Sequence, residues 1–233
     1  MRSKVELGLY LRAVPLLLRN PIAIVPPLCV GVLHLLFGYV RGPLVDPLGG
    51  LMNGIIELCF TLLTGFAFGV SIVIAENAWR SGRASFARSW DDAKRKAGNI
   101  LWATLGFIFI LYVAGLIGGM IAGAIPAVSL LLQAVVLMFL IYTLPAAAIG
   151  GIPGFSAVNY SVEKVRADVP AAAVLTIVAI FLYFYVGTLL APMVNLYAVQ
   201  WGGAAQVLIQ SIVLAYLAFA SARQYDDVAF YRW

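Results

Sequence analysis

Two long stretches of the chain contain no charged residue, and they limit the fold more than any motif does. One lies between Lys96 and Glu163, and the other lies between Asp168 and Arg223. A membrane-spanning helix needs about 20 apolar residues, so each stretch is long enough for two spans and a turn. The chain is 63% hydrophobic and 11% charged, whereas a soluble domain carries about 25% charged residues. We therefore predict an all-α integral membrane protein.

Six apolar segments of spanning length are predicted, separated by Pro, Gly and polar residues. Asn20, Asn99 and Asp168 lie at the start of three of these segments and are expected to be helix N-caps. The predicted spans are residues 21–40, 48–75, 99–122, 128–149, 170–191 and 202–222.

The basic residues predict how the spans are oriented. Fourteen of the fifteen Lys and Arg residues lie in the N-terminal segment, in the connections after spans 2 and 4, and in the C-terminal tail. Arg41 alone lies in an alternate connection. Because basic residues accumulate on the cytoplasmic side, we expect both termini to be cytoplasmic, in a prokaryotic plasma membrane.

Three segments share one pattern and predict an internal repeat. They are LGLYLRAVPLLLRN (7–20), FARSWDDAKRKAGN (86–99) and FSAVNYSVEKVRAD (155–168), and each runs from a large apolar residue to Asn or Asp thirteen positions later. A pair of predicted spans follows each segment. We therefore expect one polytopic membrane domain of three units, each an interfacial helix plus a helical hairpin. The units are residues 1–75, 84–149 and 154–222, followed by a short cytoplasmic tail at 223–233.

Each of these segments has apolar residues at helical spacing, which is typical of an amphipathic helix. The first segment has Leu7, Leu11, Val14 and Leu17 on one face. In the second, Phe86 and Trp90 are expected in the headgroup region, with the basic residues facing the cytoplasm and anionic lipid headgroups. Docking of a protein partner is the alternative role for this segment. Its basic residues are Arg88, Lys94, Arg95 and Lys96.

This helix-plus-hairpin pattern, together with F…SW…A…GN in the second segment, resembles a broad set of uncharacterised bacterial and archaeal six-span proteins. They are similar to the membrane domain that precedes the catalytic domain of some glycerophosphodiester phosphodiesterases. The resemblance covers nearly the whole chain and implies the fold. It implies no reaction, because no phosphodiesterase domain is found among these residues.

His34 and Glu57 are candidates for a polar site inside the membrane. They lie at similar depth in two neighbouring antiparallel spans, so a hydrogen bond between them is feasible, and Asn53 lies nearby. Ionisable groups at that depth are costly and usually face a partner or a water-filled space. The site is either a polar clasp between two helices or a proton- or cation-linked site. Glu76, Asn77 and Arg80 are expected to be ordinary interfacial residues.

Glycines spaced by four residues predict close helix packing. We expect this packing to be within the chain, with dimerisation as the alternative. The candidates are Gly65, Gly69, Gly115, Gly119 and Gly123.

Motifs of catalysis and cofactor binding were not found. The sequence has no HExxH, no GxSxG and no GxGxxG before a helix, and it has a single histidine. Cys29 and Cys59 lie in apolar runs and are expected to be buried. We predict no catalytic residue, metal or cofactor, and no nucleic-acid partner.

The expected function is that of an accessory or scaffold subunit that binds other membrane proteins rather than an enzyme. The alternative is a small transporter or lipid-handling protein that uses Glu57 and His34.

Overall fold

A computed structural model describes residues 6–41, 47–121, 126–186, 190, 193 and 201–230. These residues form helices and contain no β-strand. A short 3₁₀ turn, Pro21–Ile24, precedes α2, and a π-helical turn, Phe181–Val186, follows α9. The α-helices are α1 (Gly8–Arg19), α2 (Val25–Arg41), α3 (Pro47–Ser81), α4 (Phe86–Arg95), α5 (Ala97–Ile121), α6 (Pro126–Leu140), α7 (Thr143–Ala148), α8 (Ser156–Ala167), α9 (Val169–Ile180) and α10 (Gly202–Phe230).

Five segments of the described chain are each long and apolar enough to cross a membrane. A sixth candidate pairs α8 with α9, which meet at a bend of 114°. The all-α membrane fold is therefore confirmed. Residues 187–191, the end of the fifth predicted span, lie almost entirely outside the described residues. The five segments are Pro21–Val40, Gly50–Ser81, Ala97–Ile121, Ala127–Ala148 and Gly202–Ala229.

Buried side chains concentrate at one end of the bundle, which we call the packed end. Three segments of spanning helices form its centre: 70–81 of α3, 142–148 around α7, and 211–229 of α10. The short helices α1, α4 and α8 pack onto this centre through Leu17, Ala93 and Val165. The packed end is therefore the part of the molecule with a continuous core.

The opposite end of the bundle, which we call the open end, has far fewer buried side chains. It comprises residues 28–40, 50–63, 107–121, 127–138 and 201–212. Large apolar side chains such as Leu51, Leu116 and Leu131 are exposed there. Such exposure is expected where lipid rather than water surrounds a helix, because lipid tails are as apolar as leucine.

The three predicted cap residues behave differently from one another. Asp168 is an N-cap, because its Oδ1 accepts a hydrogen bond from the Ala171 amide at 3.3 Å. Asn20 makes no side-chain cap bond and instead holds the 82–84 turn. Asn99 lies inside the first turn of α5, and its Nδ2 donates to the Gly151 oxygen at 3.2 Å. The cap prediction is therefore wrong for Asn20 and Asn99, whose amides donate to residues that are distant in sequence.

The contacts of Asn20 and Asn99 have the same form. Each amide donates to the carbonyl of a glycine, Gly82 or Gly151, at 3.2 Å. Both glycines have positive φ, 76° and 63°, a conformation that glycine adopts without a steric penalty. Each glycine also lies four residues before the first residue of a predicted repeat segment. Two successive connections are therefore fastened in the same way.

α1 and α8 also correspond in register. Both have 12 residues, and in both helices the second, sixth and tenth residues are buried. These shared positions are Leu9, Ala13 and Leu17 in α1 and Ala157, Ser161 and Val165 in α8, and α8 also buries Val158.

This register differs from the apolar face predicted for α1. Leu7, Leu11 and Val14 are exposed, and of the predicted face only Leu17 is buried. α1 is leucine-rich on nearly every side, so spacing alone does not identify the face that packs against the protein.

The glycines predicted to pack lie in different surroundings. A Cβ on Gly65 would lie 2.2 Å from Thr104, and one on Gly69 would lie 2.7 Å from Ile100, so both permit close contact between α3 and α5. On α5, Gly115 makes only ordinary contact with Gln133, and a Cβ on Gly119 would meet nothing within 4 Å. Gly118 packs against Ser129 of α6 instead. Gly123 lies outside the described residues.

The last helix is longer than predicted. Residues 223–230, expected to begin a tail, continue α10, and Tyr225 and Val228 are buried in the core. The prediction failed because Arg223, Asp226 and Asp227 look like the end of a span. In the folded chain, Arg223 and Asp227 form an ion pair one turn apart, and Arg223 lies over the Trp79 ring.

Two further features concern the spans. Cys29 and Cys59 are exposed rather than buried, because their helix faces point out of the bundle.

The fourth predicted span is interrupted between α6 and α7 just before Pro145, which lacks the N–H that would continue the helix. This break lies at the packed end.

Candidate functional sites

The His34–Glu57 pair forms at the open end. His34 Nε2 lies 3.2 Å from Glu57 Oε1, within hydrogen-bond distance. The helices that carry them are antiparallel, since the Ser71 hydroxyl of α3 donates to the Ala23 oxygen just before α2, much nearer the packed end. The predicted contact between the two side chains is therefore present.

The pair faces outward from the bundle. The His34 side chain is 46% exposed and the Glu57 side chain is 64% exposed. His34 stacks on Phe60, with ring centroids 4.4 Å apart. The pair joins α2 to α3, as expected of a polar clasp between two helices. The contact lies on the outer surface of these two apolar helices.

Polar atoms around this contact are left without partners among the described residues. The Nδ1 of His34, the Oε2 of Glu57 and the side-chain amide of Asn53 make no hydrogen bond to any of those residues. Asn53 lies one turn before Glu57 on α3. Three groups that can bond to another molecule therefore lie close together on one helix pair.

The depth of the pair follows from the helices that carry it. Glu57 is ten residues into α3, which begins at Pro47, and a helix rises about 1.5 Å per residue. The carboxylate is therefore about 15 Å from the start of α3, in the apolar part of the span. A charged side chain at a span centre costs about 2.5–3.5 kcal/mol on insertion scales, so its presence on an exposed face needs an explanation.

A second polar site is a cleft at the packed end. It has a volume of about 510 Å³ and lies between α3 and α4, with Lys96 after α4 and Ile149 after α7 completing its wall. Four basic and two acidic side chains line it: Arg80, Arg88, Arg95, Lys96, Glu76 and Asp92. The wall is therefore positive by two formal charges.

Glu76 lies in the floor of this cleft and is not the ordinary interfacial charge that was predicted. It is only 9% exposed, and its Oε1 lies 2.5 Å from Arg80. The next residue, Asn77, donates from its amide to the Ser89 hydroxyl of α4 at 2.9 Å. Because α4 packs across this turn of α3, the carboxylate is covered.

Lys96 is held by the backbone of another helix. Its Nζ donates to the oxygens of Ala148 and Ile149, at 2.7 and 2.9 Å, at the C-terminal end of α7. A cation at a helix C-terminus is stabilised by the helix dipole and by the last free carbonyls. Lys96 is therefore tied to α7 rather than free on the surface of α4, and no sequence spacing indicated this contact.

The other residues of the predicted interfacial anchor lie on the surface of α4. Phe86 and Trp90 are about 40% exposed and stack on each other at 6.2 Å. Arg88, Lys94 and Arg95 are exposed, and Arg95 pairs with Asp92. Trp102 and Phe155 are also exposed nearby, so several aromatic rings surround the packed end.

Asp226 is a functional candidate that the sequence did not suggest. It is buried beside Glu76, Arg80 and Arg223, and its Oδ1 has no hydrogen-bond partner within the described parts of the chain. Its position depends on the continuation of α10 beyond the predicted span.

The described residues contain no group of three or more His, Cys, Asp or Glu side chains that could hold a metal ion. No protein-family model, curated protein or solved structure matched this chain. The resemblance to uncharacterised six-span proteins, themselves similar to the membrane domain that precedes some phosphodiesterase domains, therefore stays a prediction.

Proposed function

We propose that this chain is a membrane scaffold that assembles with a second copy of itself through the face of α2 and α3 around His34 and Glu57. The observation that carries the proposal is the outward exposure of a hydrogen-bonded His–Glu pair in two spans. Polar side chains in lipid gain most when another helix supplies hydrogen-bond partners. A partner helix that covers this face shields Glu57 from lipid and donates a hydrogen bond to its Oε2.

A second copy fits this face by symmetry. His34 and Glu57 lie side by side at one depth, so a two-fold axis along the bilayer normal places His34 of one protomer opposite Glu57 of the other. The free Nδ1 and Oε2 atoms can then bond across the axis.

The same face of α3 also permits a close approach of two helices. Gly50, Gly54 and Glu57 lie on one side of the helix, and a Cβ on either glycine would meet nothing within 4 Å. Gly65 and Gly69, by contrast, are already used inside the chain against Thr104 and Ile100. The two free glycines are therefore available to a partner helix.

The transporter alternative is less well supported. The cleft at the packed end is not lined by His34 or Glu57, and the helix break before Pro145 lies far from their level. A transport site is expected in a cavity near the midplane, formed by broken helices.

The packed end is the part that such an assembly would present to other proteins. We propose that it is cytoplasmic, since it carries the described basic residues from Arg80 to Lys96. We also propose that the fold consists of three repeats. The matching registers of α1 and α8 and the paired Asn–Gly contacts support this, as does the recurrence of short helices at one end.

The test is the association constant of the protein in liposomes, measured by energy transfer between labelled copies at several protein-to-lipid ratios. The double variant His34→Leu, Glu57→Leu should associate about eight- to thirtyfold more weakly, because two polar contacts form across the axis and each contributes about 0.6–1 kcal/mol. Both residues are exposed, so the monomer should fold normally.

Tyr112→Leu is the matched control, because it removes an exposed polar group from the spanning helix α5. It should leave association unchanged. A wild-type protein that stays monomeric at every ratio, or a double variant that associates as strongly as wild type, would contradict the proposal.

A further inference from the structure

The cleft at the packed end has an electrostatic imbalance that the fold itself does not use. Arg80 is paired with Glu76, and Arg95 is paired with Asp92. Arg88 has no ion-pair partner among the residues that the structure describes, and Lys96 donates to neutral carbonyls and lies near Glu76 without forming an ion pair. Two cations that form no direct ion pair therefore face the same cleft.

Lys96 is fixed in a position suited to hold an anion. An ammonium group has three donors, and the Ala148 and Ile149 oxygens use two of them. The third N–H is left for a ligand. Because the carbonyls hold Nζ in place, little side-chain freedom is lost on binding.

Arg88 supplies the second donor group. It lies on the same side of α4 as Asp92 and Arg95, whereas Phe86 and Trp90 lie on another side. A guanidinium group offers several N–H donors in a planar fork that matches phosphate oxygens. Arg80 and Arg95 are exposed at the edge of the cleft and add positive potential.

The position of the cleft indicates where the anion would come from. The exposed rings of Phe86, Trp90, Trp102 and Phe155 surround the packed end, and aromatic side chains favour the boundary between the lipid tails and water. The cleft lies next to α4, at the level where lipid phosphates are expected. Its volume of about 510 Å³ is within the range of small-molecule sites, about 300–1,000 Å³.

We propose that this cleft binds a phosphate group carrying one negative charge or more, with Lys96 and Arg88 as its direct ligands. Glu76 and Asp92 hold the two outer arginines in place and limit the net charge of the wall to two. The phosphate belongs to an anionic lipid headgroup or to a soluble phosphate compound. The cleft is at the opposite end of the bundle from His34 and Glu57, so this proposal does not depend on self-association.

The test is lipid binding to the purified full chain in detergent, measured by native mass spectrometry with phosphatidylglycerol, phosphatidylcholine and inorganic phosphate as separate probes. Arg88→Ala should weaken phosphatidylglycerol binding at least tenfold. Arg88 makes no ion pair with any described residue, so this variant should keep the wild-type unfolding temperature.

Lys94→Ala is the matched control. Lys94 is exposed on the same helix and does not line the cleft, so both variants remove one positive charge from α4. Lys94→Ala should bind phosphatidylglycerol within about twofold of wild type. Equal weakening in the two variants would show general attraction to a basic surface and overturn the proposal, as would equal binding of phosphatidylcholine and phosphatidylglycerol by wild type.

The probes also distinguish the two sources of phosphate. If inorganic phosphate competes with phosphatidylglycerol and the competition is lost in Arg88→Ala, the ligand is a soluble phosphate compound. If only the lipid binds, and Arg88→Ala weakens it, the ligand is a headgroup. If neither phosphatidylglycerol nor inorganic phosphate binds the wild-type protein, the proposal is overturned.

Discussion

At the scale of single residues, Asn20 joins parts of the chain that are far apart in sequence. Its amide donates to the oxygens of Leu16 and Gly82, and its oxygen accepts from the Ala84 amide at 2.8 Å. The side chain is 3% exposed. It therefore fixes the end of α1 and the turn before α4 with one buried group.

Asn20→Ala should lower the free energy of unfolding by about 1–3 kcal/mol, because it leaves buried polar groups unpaired. Thermal unfolding in detergent measures the effect. Asn159→Ala is the control, since Asn159 is exposed in α8 and should tolerate the change. Equal unfolding temperatures for the two variants would show that the 82–84 turn does not depend on Asn20.

Some contacts between residues followed from the sequence and others did not. His34 and Glu57 were expected to meet because counting residues along two antiparallel helices gives their depth. The contact of Lys96 was not predicted because its partners are backbone oxygens of a helix that begins almost fifty residues later. Such a contact has no signature in the residue types around it.

At the scale of helices, α3 and α5 pack through Gly65 and Gly69. A Cβ on Gly65 would lie within 2.9 Å of three Thr104 atoms, and Thr104 is buried. Gly65→Ala should therefore destabilise the protein by about 1–3 kcal/mol through overpacking. Gly119→Ala should be neutral or slightly stabilising, since its Cβ meets nothing nearby and alanine favours helix. The difference in unfolding temperature between Gly65→Ala and Gly119→Ala measures how closely α3 and α5 pack at Gly65. Similar unfolding temperatures for the two variants would contradict this close packing.

The existence of the helices was predictable, whereas the faces that pack were not. Long uncharged stretches define spans because the bilayer excludes charge. Within a span, however, the lipid-facing and protein-facing sides are both apolar, so the spacing of hydrophobic residues does not distinguish one side from the other. This explains why Gly118 rather than Gly119 meets α6, why Cys29 and Cys59 are exposed, and why α1 buries Leu9 and Ala13.

At the scale of the whole molecule, the two ends of the bundle differ in construction. The packed end has a continuous core, three short helices and a basic cleft, whereas the open end has exposed apolar faces interrupted by His34 and Glu57. The sequence indicated which residues would be polar at each end. It did not indicate that the pair faces outward, because both sides of these helices are apolar and their sequence does not identify the side that packs.

The central claim is that a second copy covers the face of α3 that carries Glu57. Disulfide trapping in proteoliposomes tests it most directly, using Gly54→Cys copies mixed with Gly38→Cys copies, both in a background with Cys29→Ala and Cys59→Ala. The proposed axis places Gly54 of α3 opposite Gly38 of the other copy's α2, a Cβ on either glycine would meet nothing within 4 Å, and a disulfide needs Cα atoms about 4.4–6.8 Å apart. Leu116→Cys copies mixed with the same Gly38→Cys copies are the control, because Leu116 is exposed on α5. Rapid dimer formation through Cys at position 54 and little through position 116 is the predicted result, and equal or absent trapping at both positions would contradict the account.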